Sequence, residues 1–131
     1  MIDIRSVLLV DDDDISNFVA RDVVEESGLV NDIEVTINGK LALELICKPA
    51  FNDKKPLLIF LDINMPVMDG FEFLEEFEKL TEEQKEGIYI VMLTSSTDEN
   101  DIVRSRFFPI SGYIAKPLTV DKLEEVVQKV Y

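Results

Sequence analysis

Five apolar residues stand in an unbroken row at Leu57–Leu61, and Asp62 follows at once. An apolar run of this length without alternation reads as a short strand covered on both faces, as in a parallel sheet. The next stretch, Met65-Pro66-Val67-Met68-Asp69-Gly70, breaks the chain into a turn. In an open α/β sheet, ligands and chemistry collect beyond the carboxyl ends of the strands. Asp62 is therefore either the cap of a loop, a common post for aspartate, or a reacting group presented at a strand end. The other strand ends decide between the two.

Residues 6–10 are a second such run, ending in Asp11-Asp12-Asp13-Asp14. Ile15, Phe18, Val19 and Val23 share one face of a helix expected over residues 15–27 and stopped by Gly28. Residues 32–37 alternate polar and apolar, as a strand nearer a sheet edge does. Asn38 can cap a second helix whose Leu41, Ala42, Leu45 and Ile46 share a face and which closes before Pro49. Cys47 is expected on or beside that face, packed as a small hydrophobe. Past the central strand, Gly70, Phe73, Leu74 and Phe77 line a third helix, and the Glu-rich stretch to Glu86 reads as a solvated connector. Residues 88–93 form another buried strand running into Thr94-Ser95-Ser96-Thr97. A weakly periodic helix is expected over residues 98–107, and a fifth strand over 111–115 leads to Lys116-Pro117. Thr119 can cap a last helix with Leu123, Val126, Val127 and Val130 on its buried face.

Strand and helix alternate five times without linker or repeat. That pattern predicts one α/β domain over residues 1–131, a single doubly wound five-stranded parallel sheet with helices on both faces. A formal net charge of -14 opposes direct binding to nucleic acid or anionic lipid, because basic side chains supply affinity for phosphate backbones. No apolar run approaches the ~20 residues that span a bilayer. Met1-Ile2-Asp3-Ile4-Arg5 lacks the parts of a signal peptide, and one cysteine suits a reducing compartment. The expectation is a cytoplasmic protein without nucleic-acid or membrane partners. The chain has no histidine, which excludes imidazole metal sites, His-activated nucleophiles and a phosphohistidine of its own. Its chemistry runs on carboxylates, hydroxyls and lysine.

Parallel strands bring their carboxyl ends to one edge, and those ends carry Asp11 and Asp12, Asp62, Thr94 and Lys116. Three neighbouring carboxylates repel and partly protonate unless a cation sits among them. Oxygen donors without sulfur or imidazole suit Mg2+ or Mn2+, with ligands from Asp12 and Asp62 and Asp11 partly behind them. A cation, a hydroxyl and an ammonium around a carboxylate meet the needs of phosphoryl transfer. Asp62 is the candidate nucleophile, forming an aspartyl phosphate; Lys116 pairs with one phosphoryl oxygen and Thr94 donates to another. Each residue alone has a plainer reading: acids complement a helix N-terminus, threonine caps loops, and lysine lies in water. All of them together at strand ends do not.

Val10-Asp11-Asp12-Asp13 after the first strand, Asp62 with Met65-Pro66-Val67-Met68-Asp69-Gly70, Thr94-Ser95-Ser96, and Gly112-Tyr113-Ile114-Ala115-Lys116-Pro117 occur in that order. With these motifs the chain resembles response-regulator receiver domains, the CheY-like family of two-component signalling, from Val7 to Val130. The resemblance implies a flavodoxin-like (βα)5 fold with strand order 2-1-3-4-5. It implies that Asp62 accepts a phosphoryl group from the phosphohistidine of a sensor histidine kinase or a histidine phosphotransfer protein, with Mg2+ required. The backbone carbonyl of Asn64 is then expected to join Asp11, Asp12 and Asp62 around the ion, and the Lys116–Pro117 bond to be cis.

The resemblance also implies a switch. Thr94 moves toward the new group and the Tyr113 ring turns inward. The face made by the 98–107 helix, the 111–115 strand and the last helix changes shape for a protein target, as a monomer or as a phosphorylation-dependent dimer. Such a protein is a phosphoacceptor that assists its own chemistry, not a turnover enzyme. Arg104, Arg106 and Lys122 are among the few cations expected on that face. Asp14 stands where a neutral residue is frequent in the family, so a firmer Mg2+ requirement is expected. Asn64 and Ser96 occupy positions that tune hydrolysis, and neither can act there as acid or base. A stand-alone receiver is the first expectation; the receiver of a hybrid kinase, a phosphorelay intermediate or a truncated regulator are the alternatives. Haloacid-dehalogenase-like phosphatases share the Asp, Mg2+ and Lys, but the place of their second Asp is taken here by Asn64.

Overall fold

The computed structural model describes residues 3–129. Its strands are β1 (Ser6–Val10), β2 (Asp32–Thr36), β3 (Leu57–Leu61), β4 (Ile88–Thr94) and β5 (Gly112–Ala115). Its helices are α1 (Asp14–Ser27), α2 (Gly39–Ile46), α3 (Gly70–Glu78), α4 (Glu82–Lys85), α5 (Glu99–Ser105) and α6 (Val120–Lys129). The strands form one parallel sheet in the order β2-β1-β3-β4-β5. The expected doubly wound α/β fold and its strand order are both present.

Burial follows the sequence pattern. Every residue of β1 and β3 is buried, whereas β2, at one edge and alternating in sequence, is half-buried throughout. Successive strand residues point to opposite faces, so each run feeds two cores. Leu8, Val10, Ile59, Leu61 and Met92 meet Ala42, Ile46, Phe73 and Leu74 from α2 and α3. Val7, Leu9, Leu58, Phe60, Val91 and Leu93 meet Ala20, Val24, Leu123 and Val127 from α1 and α6. Each large side chain so buried contributes about 1.5–3 kcal/mol.

Several local expectations need correction. The buried face of α1 is Asn17, Ala20 and Val24, while Ile15 and Phe18 are each 73% exposed. Small Ala20 lets the helix approach the sheet closely, and bulkier Ile15, Phe18 and Val19 are left outside. Of the expected α2 face, Ala42 and Ile46 are buried but Leu41 is exposed. Cys47 is exposed as well, because it is the C-cap residue of α2, beyond the last buried turn. A 3-10 turn at Pro49–Lys54 anchored by buried Phe51, and the short α4 with its Thr81–Gln84 capping box, replace expected loop. Leu123, Val126 and Val127 are buried as expected, and Thr119 Oγ1 accepts from the Lys122 N–H at the start of α6. Val130 lies outside the described residues. Among the described residues, no helix is long and apolar enough to cross a membrane.

Candidate functional site

The site is a consequence of register. Val10 lies opposite Leu61 in the β1–β3 pair, so the next residue of each strand, Asp11 and Asp62, emerges side by side. The backbone ladder runs one step past the strands and fixes these positions. Asp62 N–H donates to the Val10 carbonyl at 3.0 Å, Asp11 N–H to Thr36 at 3.1 Å, and Lys116 N–H to Thr94 at 2.9 Å. Asp11 and Asp62 are only 6% and 8% exposed, while Asp12 lies open to solvent. Each of the three acids offers an oxygen within 4.8 Å of the others, an arrangement able to hold a metal ion.

The loops hold this edge tightly. Asn17 Nδ2 donates to the Asp11 carbonyl at 2.8 Å, and Asp13 N–H donates to Asp11 Oδ1 at 3.0 Å. Ile63 N–H donates to Asp62 Oδ1 at 2.9 Å, leaving Oδ2 toward Lys116. At Gly70 a side chain is excluded, since a Cβ there would collide with the Asp62 carbonyl oxygen. The Gly70 N–H donates to the Ile63 carbonyl at 2.8 Å, and α3 begins on an Asp69–Glu72 capping box. Between them, Met68 N–H reaches the Pro66 carbonyl at 2.8 Å, closing a γ-turn around Val67, whose φ is 70°. A β-branched residue rarely adopts that conformation. Asn64 lines an open cleft of about 330 Å3 with Asp12, Met65, Pro66 and Asp69.

Lys116 lies at the centre of the charges. Its Nζ is 2.6 Å from Asp11 Oδ2, 3.1 Å from Ser16 Oγ and 3.5 Å from Asp62 Oδ2. Burial, then the charge of Asp11, push the Asp62 carboxyl above its usual range, while Lys116, the Thr94 hydroxyl and the Ile63 N–H pull the other way. Burial works to lower the Lys116 ammonium, yet its bond to Asp11 and the charge of Asp62 outweigh that and raise it. The Lys116–Pro117 bond is cis, as is Lys55–Pro56.

Thr94 is fully buried at the end of β4, and its Oγ1 accepts from the Ser96 N–H at 3.2 Å. Ser96 in turn donates its hydroxyl to Asp101 Oδ2 at 2.7 Å and accepts the Tyr113 O–H on its carbonyl at 3.1 Å. Burial, first among several causes, raises the Tyr113 phenol above its ordinary value. All the expected side chains other than Tyr113 therefore meet at the carboxyl edge, and Tyr113 is joined to them through Ser96. The cations expected on the output face behave differently. Arg104 sits 4.3 Å over the Phe71 ring and 3.4 Å from Glu75, and Lys122 bonds the carbonyls of Ala115 and Pro117. Both are engaged within the chain, although Arg104, like Arg106, stays exposed and Lys122 is half-buried.

Sequence reasoning missed Ser16 and Asn17. The signal was present: Asp13 caps α1, so Ser16 falls three residues on, in the first turn. Asn17 is a polar residue on a face otherwise fit for burial.

A doubly wound parallel sheet of this strand order is shared by signalling receivers and flavin-binding domains, and its carboxyl edge here gathers three aspartates and a lysine. The chain belongs to the response regulator receiver domain family, whose family model matches residues 7–128. It is 29% identical over 126 residues to the chemotaxis protein CheY of Halobacterium salinarum, covering 96% of each chain. A two-component response regulator from Cytophaga hutchinsonii superposes with a TM-score of 0.87 at 30% identity, over 98% of this chain and 97% of that one. The phosphorylated cyanobacterial phytochrome response regulator RcpA gives a TM-score of 0.75 at 26% identity, over 95% and 89% of the two chains.

Proposed function

We propose that the chain acts as one receiver unit that accepts a phosphoryl group on Asp62 from a protein phosphohistidine and passes the event on as a change of shape. The observation that carries this is the setting of Asp62. One of its oxygens is held by a backbone N–H, and the other faces an ammonium at 3.5 Å in a buried pocket of excess negative charge. Similarity to RcpA, seen phosphorylated, supports the same reading.

In the transfer, Asp62 Oδ2 forms a bond to phosphorus as the bond from phosphorus to the donor's imidazole nitrogen breaks, and that nitrogen keeps the electron pair. Lys116 pairs with a phosphoryl oxygen as charge develops on it, and Thr94 donates its hydroxyl to another. The donor set is all hard oxygen, which fits Mg2+ or Mn2+. Asp11, Asp12, Asp62 and the Asn64 carbonyl would hold the ion, which when bound supplies the positive charge that offsets carboxylates and phosphoryl oxygens together. The phosphorylated chain would regain its free state by hydrolysis, without turning over a separate substrate.

The switch follows from the hydrogen bonds of Ser96. The new group brings about -1.5 to -2 charge and offers Thr94 an acceptor absent before. A shift of Thr94 toward it pulls on the Ser96 N–H, and Ser96 also holds Tyr113 and Asp101. The face of α5, β5 and α6 then changes. Two or three charge-assisted bonds of ~1.5–3 kcal/mol each approach the ~5.5 kcal/mol that moves a 1:99 equilibrium to 99:1. The partners are a sensor kinase or phosphotransfer protein and a protein target, in the cytoplasm. Ile15, exposed in a cleft shared with Lys116, and Phe18 on the same helix offer apolar surface to the donor.

The test is transfer from labelled phosphohistidine proteins. Label moves to the wild-type chain with Mg2+ and stays on the donor when the acceptor is Asp62→Asn or EDTA is present. Label on Asp62→Asn at the wild-type rate overturns the reading.

A further inference from the structure

Among the described residues, Lys116 Nζ has three side-chain oxygen acceptors, Asp11, Ser16 and Asp62. A lysine ammonium has three N–H bonds, so the set is complete. Two acceptors are carboxylates, which the proposed function assigns to a cation and to phosphorus. Ser16 is the neutral one, and its own proton is committed. Ser16 Oγ–H donates to Asp13 Oδ2 at 2.9 Å, while Asp13 Oδ1 accepts from the Ile15 N–H at 3.1 Å as the cap of α1. A hydroxyl has one proton and two lone pairs, so with the proton turned to Asp13 the lone pairs face the ammonium. Ser16 and Lys116 also line the same narrow cleft of about 100 Å3, walled by Ile15, Leu93 and Leu118.

We propose that Ser16 is a positioning residue for Lys116. When a cation takes up Asp11, an ammonium on a flexible stem loses its shortest contact and would otherwise follow Asp11 or swing to water. Ser16 keeps it beside Asp62, where it meets the phosphoryl oxygens. Asp13 acts one step behind, fixing the hydroxyl's orientation. This inference rests on the phosphoacceptor reading of Asp62.

Ser16→Ala removes the acceptor and Ser16→Thr keeps it. With saturating Mg2+ and an acyl phosphate donor, Ser16→Ala takes up the group about five- to tenfold more slowly than wild type, and Ser16→Thr stays within about twofold. On the slower Lys116→Met background, adding Ser16→Ala costs nothing further, since no ammonium is left to place. A second readout needs no donor: the NMR resonance of the Lys116 ammonium with Mg2+ bound. Hydrogen-bonded protons exchange slowly, so the signal is present in wild type and Ser16→Thr and lost in Ser16→Ala. Equal rates for wild type and Ser16→Ala, or an additive loss on Lys116→Met, overturn the inference and leave the phosphoacceptor reading standing. If the wild type takes up nothing, that reading fails and the ammonium resonance alone decides: its loss in Ser16→Ala supports the anchor, and its persistence overturns it.

Discussion

Two lysine–aspartate pairs of the same length stand at opposite ends of the sheet. At the amino end, Lys54 Nζ lies 2.6 Å from Asp32 Oδ2, with Ser6 adding a longer contact, and the two side chains are 31% and 40% exposed. At the carboxyl end, Lys116 Nζ lies 2.6 Å from Asp11 Oδ2, with side chains 18% and 8% exposed. The first pair lies in half-open solvent among balanced charges, with Glu34 and Arg5 nearby, a brace between β2 and the turn before β3. The second sets one ammonium against three clustered carboxylates, two of them buried. Distance does not separate the pairs; burial and charge balance do. An unbalanced buried charge costs folding free energy, so its presence marks a place kept for a ligand or a reaction.

The carboxyl end also holds the glycine with the closest backbone approach, Gly70 against the Asp62 carbonyl, and the largest expected effect comes from disturbing it. Gly70→Ala forces α3 away from the Asp62 carbonyl and lowers stability by about 2–3 kcal/mol in denaturant unfolding. A midpoint within error of wild type would mean the close approach is not needed. The next effect tests the charge imbalance. Mg2+ stabilises the wild type by about 2.7 kcal/mol at a hundredfold excess over Kd and does the same for Asp32→Asn. Asp12→Asn and Asp62→Asn respond far less, and an equal response in all four would erase the distinction between the two ends.

Without metal, the ends respond oppositely to neutralisation. The Asp62 carboxyl is raised in the fold, so the stability linked to it is present in acid and lost as pH rises through its folded value. Asp62→Asn therefore raises Tm at neutral pH by about 2–5 °C, and the gain fades toward acid. Asp32→Asn instead lowers Tm by about a degree or two, a loss that salt removes. Thermal scans across pH check both signs. A comparably small effect belongs to the γ-turn. Val67→Asn, which tolerates positive φ, stabilises by about 0.5–1 kcal/mol, and a loss of stability would show Val67 to be at ease there.

What the sequence disclosed is what a parallel sheet maps one to one. Unbroken apolar runs become central strands, and the residue after each run goes to the carboxyl edge; Asp11, Asp62, Thr94 and Lys116 were all legible that way. Helix faces were less so. Periodicity favours bulk, and it selected Ile15 and Phe18, whereas the sheet takes Ala20 for its small size and Asn17 for its bond to the Asp11 carbonyl. Arg104 read as a free surface cation because its partners, Phe71 and Glu75, are distant in sequence. The role of Ser16 beside Lys116 depends on a contact across 100 residues, which local pattern does not carry.

The proposed function requires that the carboxylate at the end of β3 hold phosphorus covalently. Incubation with Mg2+ and a small acyl phosphate or amidophosphate, read by intact mass and peptide mapping, is the decisive experiment. One added phosphoryl group is expected on wild type and on Asp32→Asn, mapped to Asp62, with none on Asp62→Asn or in EDTA. Uptake by Asp62→Asn equal to wild type, or no uptake by the wild type at all, would contradict the proposed function.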